Sequence, residues 1–197
     1  MIHALYEPFP ECIHADGQDF RILTDFREWL RFADLLGDAE ISASDKAAVM
    51  AEWLIEPPEI ITEEIIAGLL SFLRASDLEP DSRESDEDEV DASGGSPSQH
   101  PPYFDFKYDA RWILGDFRRF YGIDLLTVKY LHWWKFRALL TALPDESMTM
   151  RRVSYRSADL SKIKNKAERA RIAKIQREIA FPFAYDDEMI GAMMWNA

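Results

Sequence analysis

With 197 residues, 47% hydrophobic and 13% aromatic, the chain can build one ordinary domain with a sizeable core, and this aromatic content excludes a wholly disordered protein. A formal net charge of −13 argues against general nucleic-acid binding, because phosphate contacts need clustered Lys and Arg. One cysteine, Cys12, excludes an intramolecular disulfide. The first residues lack the basic and apolar regions of a signal peptide, and no apolar run approaches the ~20 residues that span a bilayer, so a soluble intracellular protein is expected. The charge is uneven: residues 1–100 hold 24 acidic and 6 basic side chains, and residues 101–197 hold 12 and 17. Two functional surfaces, or two halves that attract each other, would produce this asymmetry.

Residues 1–23 predict two short strands joined by an irregular loop, the first near Ile2, Ala4 and Tyr6 and the second at Phe20–Leu23, with Asp16-Gly17 as a turn. Asp25 followed by Glu28 resembles a capping box for a helix carrying Phe26, Trp29, Leu30, Phe32, Ala33 and Leu36, stopped by Gly37. A second helix is expected from Ser44 or Asp45 through Ala48, Val49, Trp53 and Leu54 to Pro57. A third follows the Thr62 cap and carries Ile65, Ile66, Leu69, Leu70 and Leu73. Seven acidic residues lie between Asp81 and Asp91, followed by a Ser/Gly/Pro-rich stretch, which together predict a flexible acidic linker over 79–102.

Phe106, Ala110, Ile113, Leu114, Phe117, Phe120 and Tyr121 then mark one helical face ending near Gly122. The pattern predicts a further helix from Thr127 to Leu143, apolar on most sides and therefore a buried central helix or an interface helix. From Arg151 to Arg177 ten basic residues face only Asp159 and Glu168, and a helix capped by Asp159 or Ser161 would carry Ile163, Ala167, Ala170, Ile175 and Ile179. Met189, Ile190, Met193, Met194 and Trp195 form a short apolar end.

Enzyme signatures are not found. The glycines form no phosphate-cradling loop and no Gly-x-Ser-x-Gly elbow occurs. Cys12, His14 and His3 would make an incomplete metal set, more simply read as structural. The Asp86–Asp91 run lacks the glycine of a calcium loop and reads as solvated. No cofactor is implied. His132-Trp133-Trp134-Lys135 suits either an aromatic or cationic ligand or, more simply, a helical core or protein interface. The basic segment, with Arg151, Arg152, Lys162, Lys164, Lys166, Arg169, Arg171 and Lys174, has three readings: a solvated helix, a dock for an acidic partner or the chain's own linker, or a nucleic-acid contact.

Thr24-Asp25-Phe26-Arg27-Glu28-Trp29-Leu30 resembles a segment of a family of small siphophage proteins. So do Phe104-Asp105-Phe106 with Asp109-Ala110, Tyr121-Gly122-Ile123-Asp124-Leu125, Leu131 to Leu140 with Leu143-Pro144, Ser154-Tyr155-Arg156, and Asp159 to Ile163. That family is typically encoded among tail genes near the tape measure. The resemblance implies a non-catalytic tail-assembly chaperone that binds the tape-measure protein, the tail tube protein or both in the host cytoplasm. A structural tail or head–tail completion protein, and a nucleic-acid-binding regulator, are the alternatives.

The expectation is thus a mainly α-helical single domain with a small N-terminal β element and a disordered acidic insertion. It is organised as 1–78, a linker over 79–102, and 103–197 with the Trp-rich and basic helices. Partner contacts are expected from His132, Trp133, Phe136, Leu140, Met194 and Trp195. A homo-oligomer is compatible with this reading, and a membrane is not.

Overall fold

A computed structural model describes residues 5–75, 78 and 103–181. The acidic linker expected over 79–102 and the Met-rich end, with Met194 and Trp195, lie outside the described residues. The mainly α architecture with a small N-terminal β element is as expected. Seven α-helices and one two-stranded sheet are present among the described residues.

The β element is an antiparallel hairpin of β1 (Cys12–Ala15) and β2 (Gln18–Arg21), with Ile13 opposite Phe20 and His14 opposite Asp19. Its turn is Asp16-Gly17, and both residues have positive φ (51° and 73°), the two-residue turn whose twist matches a hairpin. Of the expected first strand, Ile2 and Ala4 lie outside the described residues and Tyr6 is exposed and in no strand. The strand that pairs with β2 is Cys12–Ala15, whose Ile13 and Ala15 alternate into the core. Beyond β2 the chain stays extended: Ile22 bridges Leu54 and Asp25 bridges His132.

Helix α1 (Phe26–Gly37) buries Phe26, Trp29, Phe32 and Leu36, the face predicted from spacing. Asp25 caps it by accepting from the Arg27 N–H, while Glu28 turns to Arg31 at 2.6 Å and so does not complete the capping box. Ser42 opens α2 (Ala43–Val49), slightly earlier than expected, and a 3₁₀ turn (Met50–Trp53) places Trp53 in the core. Thr62 caps α3 (Glu63–Arg74) as predicted, and Ile65, Leu69, Phe72 and Leu73 are buried.

Gly68 shows how closely α3 lies against β1. A Cβ there would meet Ile13 Cδ1 at 3.1 Å and Ile13 Cβ at 3.3 Å, and the latter is fixed by the strand backbone. Gly68→Ala should therefore be destabilising, since overpacking of about 1–3 kcal/mol exceeds the ~1 kcal/mol gained in helix propensity. Gly115→Ala in α4 (Phe106–Asp116) meets nothing within 4 Å. There the propensity term stands alone and stability should rise by about 0.5–1 kcal/mol. Urea midpoints of the two variants check the opposite signs.

Asp105 caps α4, which continues into a π-helical turn (Phe117–Tyr121) ended by Gly122 at φ 67°. The expected helix from Thr127 does not begin there. Residues 127–132 are non-helical, Leu131 and His132 run extended beside Thr24–Phe26, and α5 spans only Trp133–Thr141. Pairing with a distant segment overrides the local helical spacing. The basic stretch also divides. Ser147 caps α6 (Met148–Ser157), which sequence spacing did not reveal, and Asp159 caps only a 3₁₀ turn (Leu160–Lys162). Asn165, not Asp159 or Ser161, opens α7 (Lys166–Ile179).

The described residues group into two compact units. Unit 1 holds 5–75 and 78 together with Lys129–Ala138, and unit 2 holds 103–128 and 139–181. The Trp-rich segment of the C-terminal half therefore builds the core of the N-terminal unit.

Candidate functional site

In unit 1 the two longest family-like strings meet. Phe26 N–H donates to Leu131 O (2.9 Å) and Trp133 N–H to Thr24 O (2.8 Å), a short antiparallel pairing across more than 100 residues of chain. Asp25 sits at its centre, because its carboxylate accepts from Arg27 N–H, the Arg27 guanidinium and Leu131 N–H. Phe26 stacks on Phe136 with ring centroids 4.9 Å apart, and Phe136 stacks on Trp133 at 5.7 Å.

The paired tryptophans cap a helix. The last carbonyls of α3 have no partner within the helix. Trp134 Nε1–H donates to Phe72 O and Trp133 Nε1–H to Leu73 O, both at 2.9 Å, and the Arg137 guanidinium reaches Arg74 O at 3.4 Å. A cation at that end also complements the helix dipole. Trp29 and Trp53 likewise donate to the backbone carbonyls of Leu23 and Glu28. Each indole thus fills core volume and donates to a backbone carbonyl, and Phe72 O accepts from the Ala75 N–H as well.

His132 is 8% exposed, with Phe9 and Phe72 against its ring. Its Nδ1 accepts from Trp134 N–H at 3.1 Å, so Nε2 carries the proton and donates to Pro10 O at 3.1 Å. Burial lowers its pKa, outweighing the raising effects of the Pro10 carbonyl and Glu11. The unfolded chain therefore takes up this proton at higher pH than the folded one. Stability from this site is complete above about pH 6.5, the unperturbed value, and declines as pH falls below it. A protonated Nδ1 would also point a donor at the Trp134 N–H. Urea unfolding near pH 5 and near pH 7.5 should show this loss, and His132→Gln should flatten the slope.

Unit 2 is held by buried ions. Asp109, 1% exposed on α4, receives Arg156 through two nitrogens at 2.6 and 3.0 Å and Arg152 Nε at 3.2 Å. Arg156 also donates to Tyr103 O and to Ile179 O at the end of α7, with the Phe181 ring 3.9 Å from its guanidinium carbon. Asp116, 3% exposed, accepts from Met148 and Thr149 N–H and so caps α6 from a neighbouring helix. Gln176 of α7 donates to the Tyr155 and Ala158 carbonyls at the other end of α6.

Of the predicted partner residues, His132, Trp133 and Phe136 are buried in unit 1 at 8%, 0% and 1% exposure and Leu140 is buried in unit 2 at 2%, so none of these four is open to a partner in this conformation. Among the basic residues, Arg152 belongs to the Asp109 cluster, whereas Arg151, Lys162, Lys164, Lys166, Arg169, Arg171 and Lys174 are exposed. Cys12 and His14 lie on the hairpin, where His14 meets Asp19 at 2.9 Å. Sequence reasoning missed Asp109, Asp116 and Arg156 as central residues. The available signal was an Asp at helical spacing with Ile113 and Phe117 on the apolar face of α4.

These features define a mainly helical protein whose buried polar groups act as caps and clamps, with no helix among the described residues long and apolar enough to cross a membrane. The chain belongs to the bacteriophage Gp15 protein family, whose model matches residues 5–181. No curated protein and no solved structure matches it.

Proposed function

We propose that this phage protein is a non-catalytic tail-assembly chaperone of a siphophage, acting in the host cytoplasm on the tape-measure protein, the tail tube protein or both. The family match over residues 5–181 carries this reading, in keeping with the resemblance of its motif strings to tail-cluster proteins. Physical chemistry supports it in two ways. The buried groups Asp109, Asp116, Arg156 and His132 are occupied in holding backbone and helices, which leaves surface side chains for work on partners. A net charge of −13 would also keep a complex with an apolar-striped helical chain in solution.

Contacts with the client are assigned to exposed positions such as Leu5, Tyr6 and Leu126, at 91%, 74% and 77% exposure, in place of the buried Trp133 helix. Co-expression with tape-measure fragments and tail tube protein of the same phage tests the reading. A soluble complex, lost on Leu126→Glu with the fold intact, supports it. No complex from a folded sample, together with stoichiometric presence in purified virions, replaces it with a structural tail or head–tail completion role.

A further inference from the structure

Two surface segments carry unbalanced charge of opposite sign, one in each unit. In unit 1, Glu52, Glu56, Glu59, Glu63 and Glu64 are all exposed, and none has an ion-pair partner among the described residues. Between them Ile55 and Ile60 are 45% and 74% exposed, apolar side chains left open within an acidic stretch. In unit 2, α7 turns Ile172, Ile175, Gln176 and Ile179 inward, and Gln176 is tied to α6. At 3.6 residues per turn the opposite side of α7 carries Lys166, Lys174 and Arg177 around Ala170. Lys166 and Arg177 have no ion-pair partner among the described residues, and Lys174 meets Glu178 only at 3.9 Å. Over the described residues unit 1 holds 15 acidic and 8 basic side chains, and unit 2 holds 9 and 14.

We infer that the acidic, isoleucine-bearing segment around residues 52–64 of one copy docks on the outer face of α7 of a second copy. Opposite charges orient and speed the encounter, and salt weakens it. Ile55 and Ile60 then cover Ala170 and the aliphatic stems of Lys166 and Lys174, the apolar part of the contact. Because the two surfaces differ and each copy offers one of each, association closes either as a reciprocal two-fold dimer or, head to tail, as a ring or short chain. Nucleic acid suits this face less well. The outer side of α7 presents no aromatic ring for base stacking, and the chain as a whole repels phosphate. The contact is independent of the tail-assembly reading and needs no other phage protein.

Sedimentation velocity of the purified full chain over a range of concentration and salt tests it. Association at low salt that dissolves as salt rises is expected. Lys166→Gln/Lys174→Gln/Arg177→Gln and Glu56→Gln/Glu59→Gln/Glu63→Gln should each weaken it by about tenfold or more, since each removes three exposed charge pairs. Mixing the two variants should restore a 1:1 dimer and nothing larger, because one intact surface of each kind remains. Ile60→Ser, which leaves every charge in place, should also weaken association. Circular dichroism confirms that the variants keep their helices. A monomer at every salt concentration, association indifferent to these substitutions, or an oligonucleotide bound by α7 more tightly than a second copy would each overturn the proposal.

Discussion

Asp109→Asn is expected to lower the unfolding free energy by about 3–5 kcal/mol, the range for removing one partner of a buried ion pair. The carboxylate is 1% exposed, the Arg156 side chain 6% and the Arg152 side chain 20%. Asn keeps one acceptor oxygen and turns an N–H₂ donor towards guanidinium groups that only donate. Arg156 would then be left charged and buried without its counter-ion, held by neutral acceptors such as the Tyr103 and Ile179 carbonyls. Replacing Arg156 with Met at the same time should recover part of the loss, because the uncompensated charge goes with it. Urea denaturation followed by circular dichroism gives both values. A loss below about 1 kcal/mol for the single variant would mean that water screens the cluster and that it is no clamp.

The second large effect concerns the tryptophan pair. Trp133→Ala should destabilise unit 1 by about 3–5 kcal/mol, as large-to-small changes at buried aromatic positions do. Its ring has no exposed surface, it stacks on Phe136, and its indole N–H satisfies Leu73 O at the end of α3. Trp133→Phe retains most of the volume but removes the indole N–H from that carbonyl, so its smaller loss isolates the capping bond, at about 1–3 kcal/mol. Had Trp133 been a surface contact, Ala would leave the unfolding midpoint unchanged and alter only partner binding. Thermal melts monitored by tryptophan fluorescence and far-ultraviolet circular dichroism separate the outcomes.

Much of the fold was legible because its signals are local. Asp25 and Thr62 accept from backbone N–H groups two or three residues ahead, and a short polar side chain before an apolar-periodic run announces that geometry. The faces of α1 and α3 follow from 3.6-residue spacing, and Gly122 ends its helix in the left-handed conformation. The basic helix α6 was obscured because its inward face carries the polar Thr149 with Arg152 and Arg156, whose charges are neutralised by Asp109 out of sight of sequence spacing.

What stayed hidden was set by partners far along the chain. Helical spacing ran on through residues 127–132, yet Leu131 N–H binds a carboxylate 106 residues away and Trp133 N–H binds Thr24 O, so Leu131 and His132 run extended and the helix starts only at Trp133. Asp109 finds its arginines 43 and 47 residues on, and a charged residue in a sequence does not reveal whether water or a buried guanidinium receives it. Helix starts, stops and apolar faces follow from neighbouring residues, since backbone conformation and capping act over a turn or two. Whether His132 and Trp133 face solvent or core, and which cations are clamps and which are free, depends on what folds against them, and only the tertiary structure decides that.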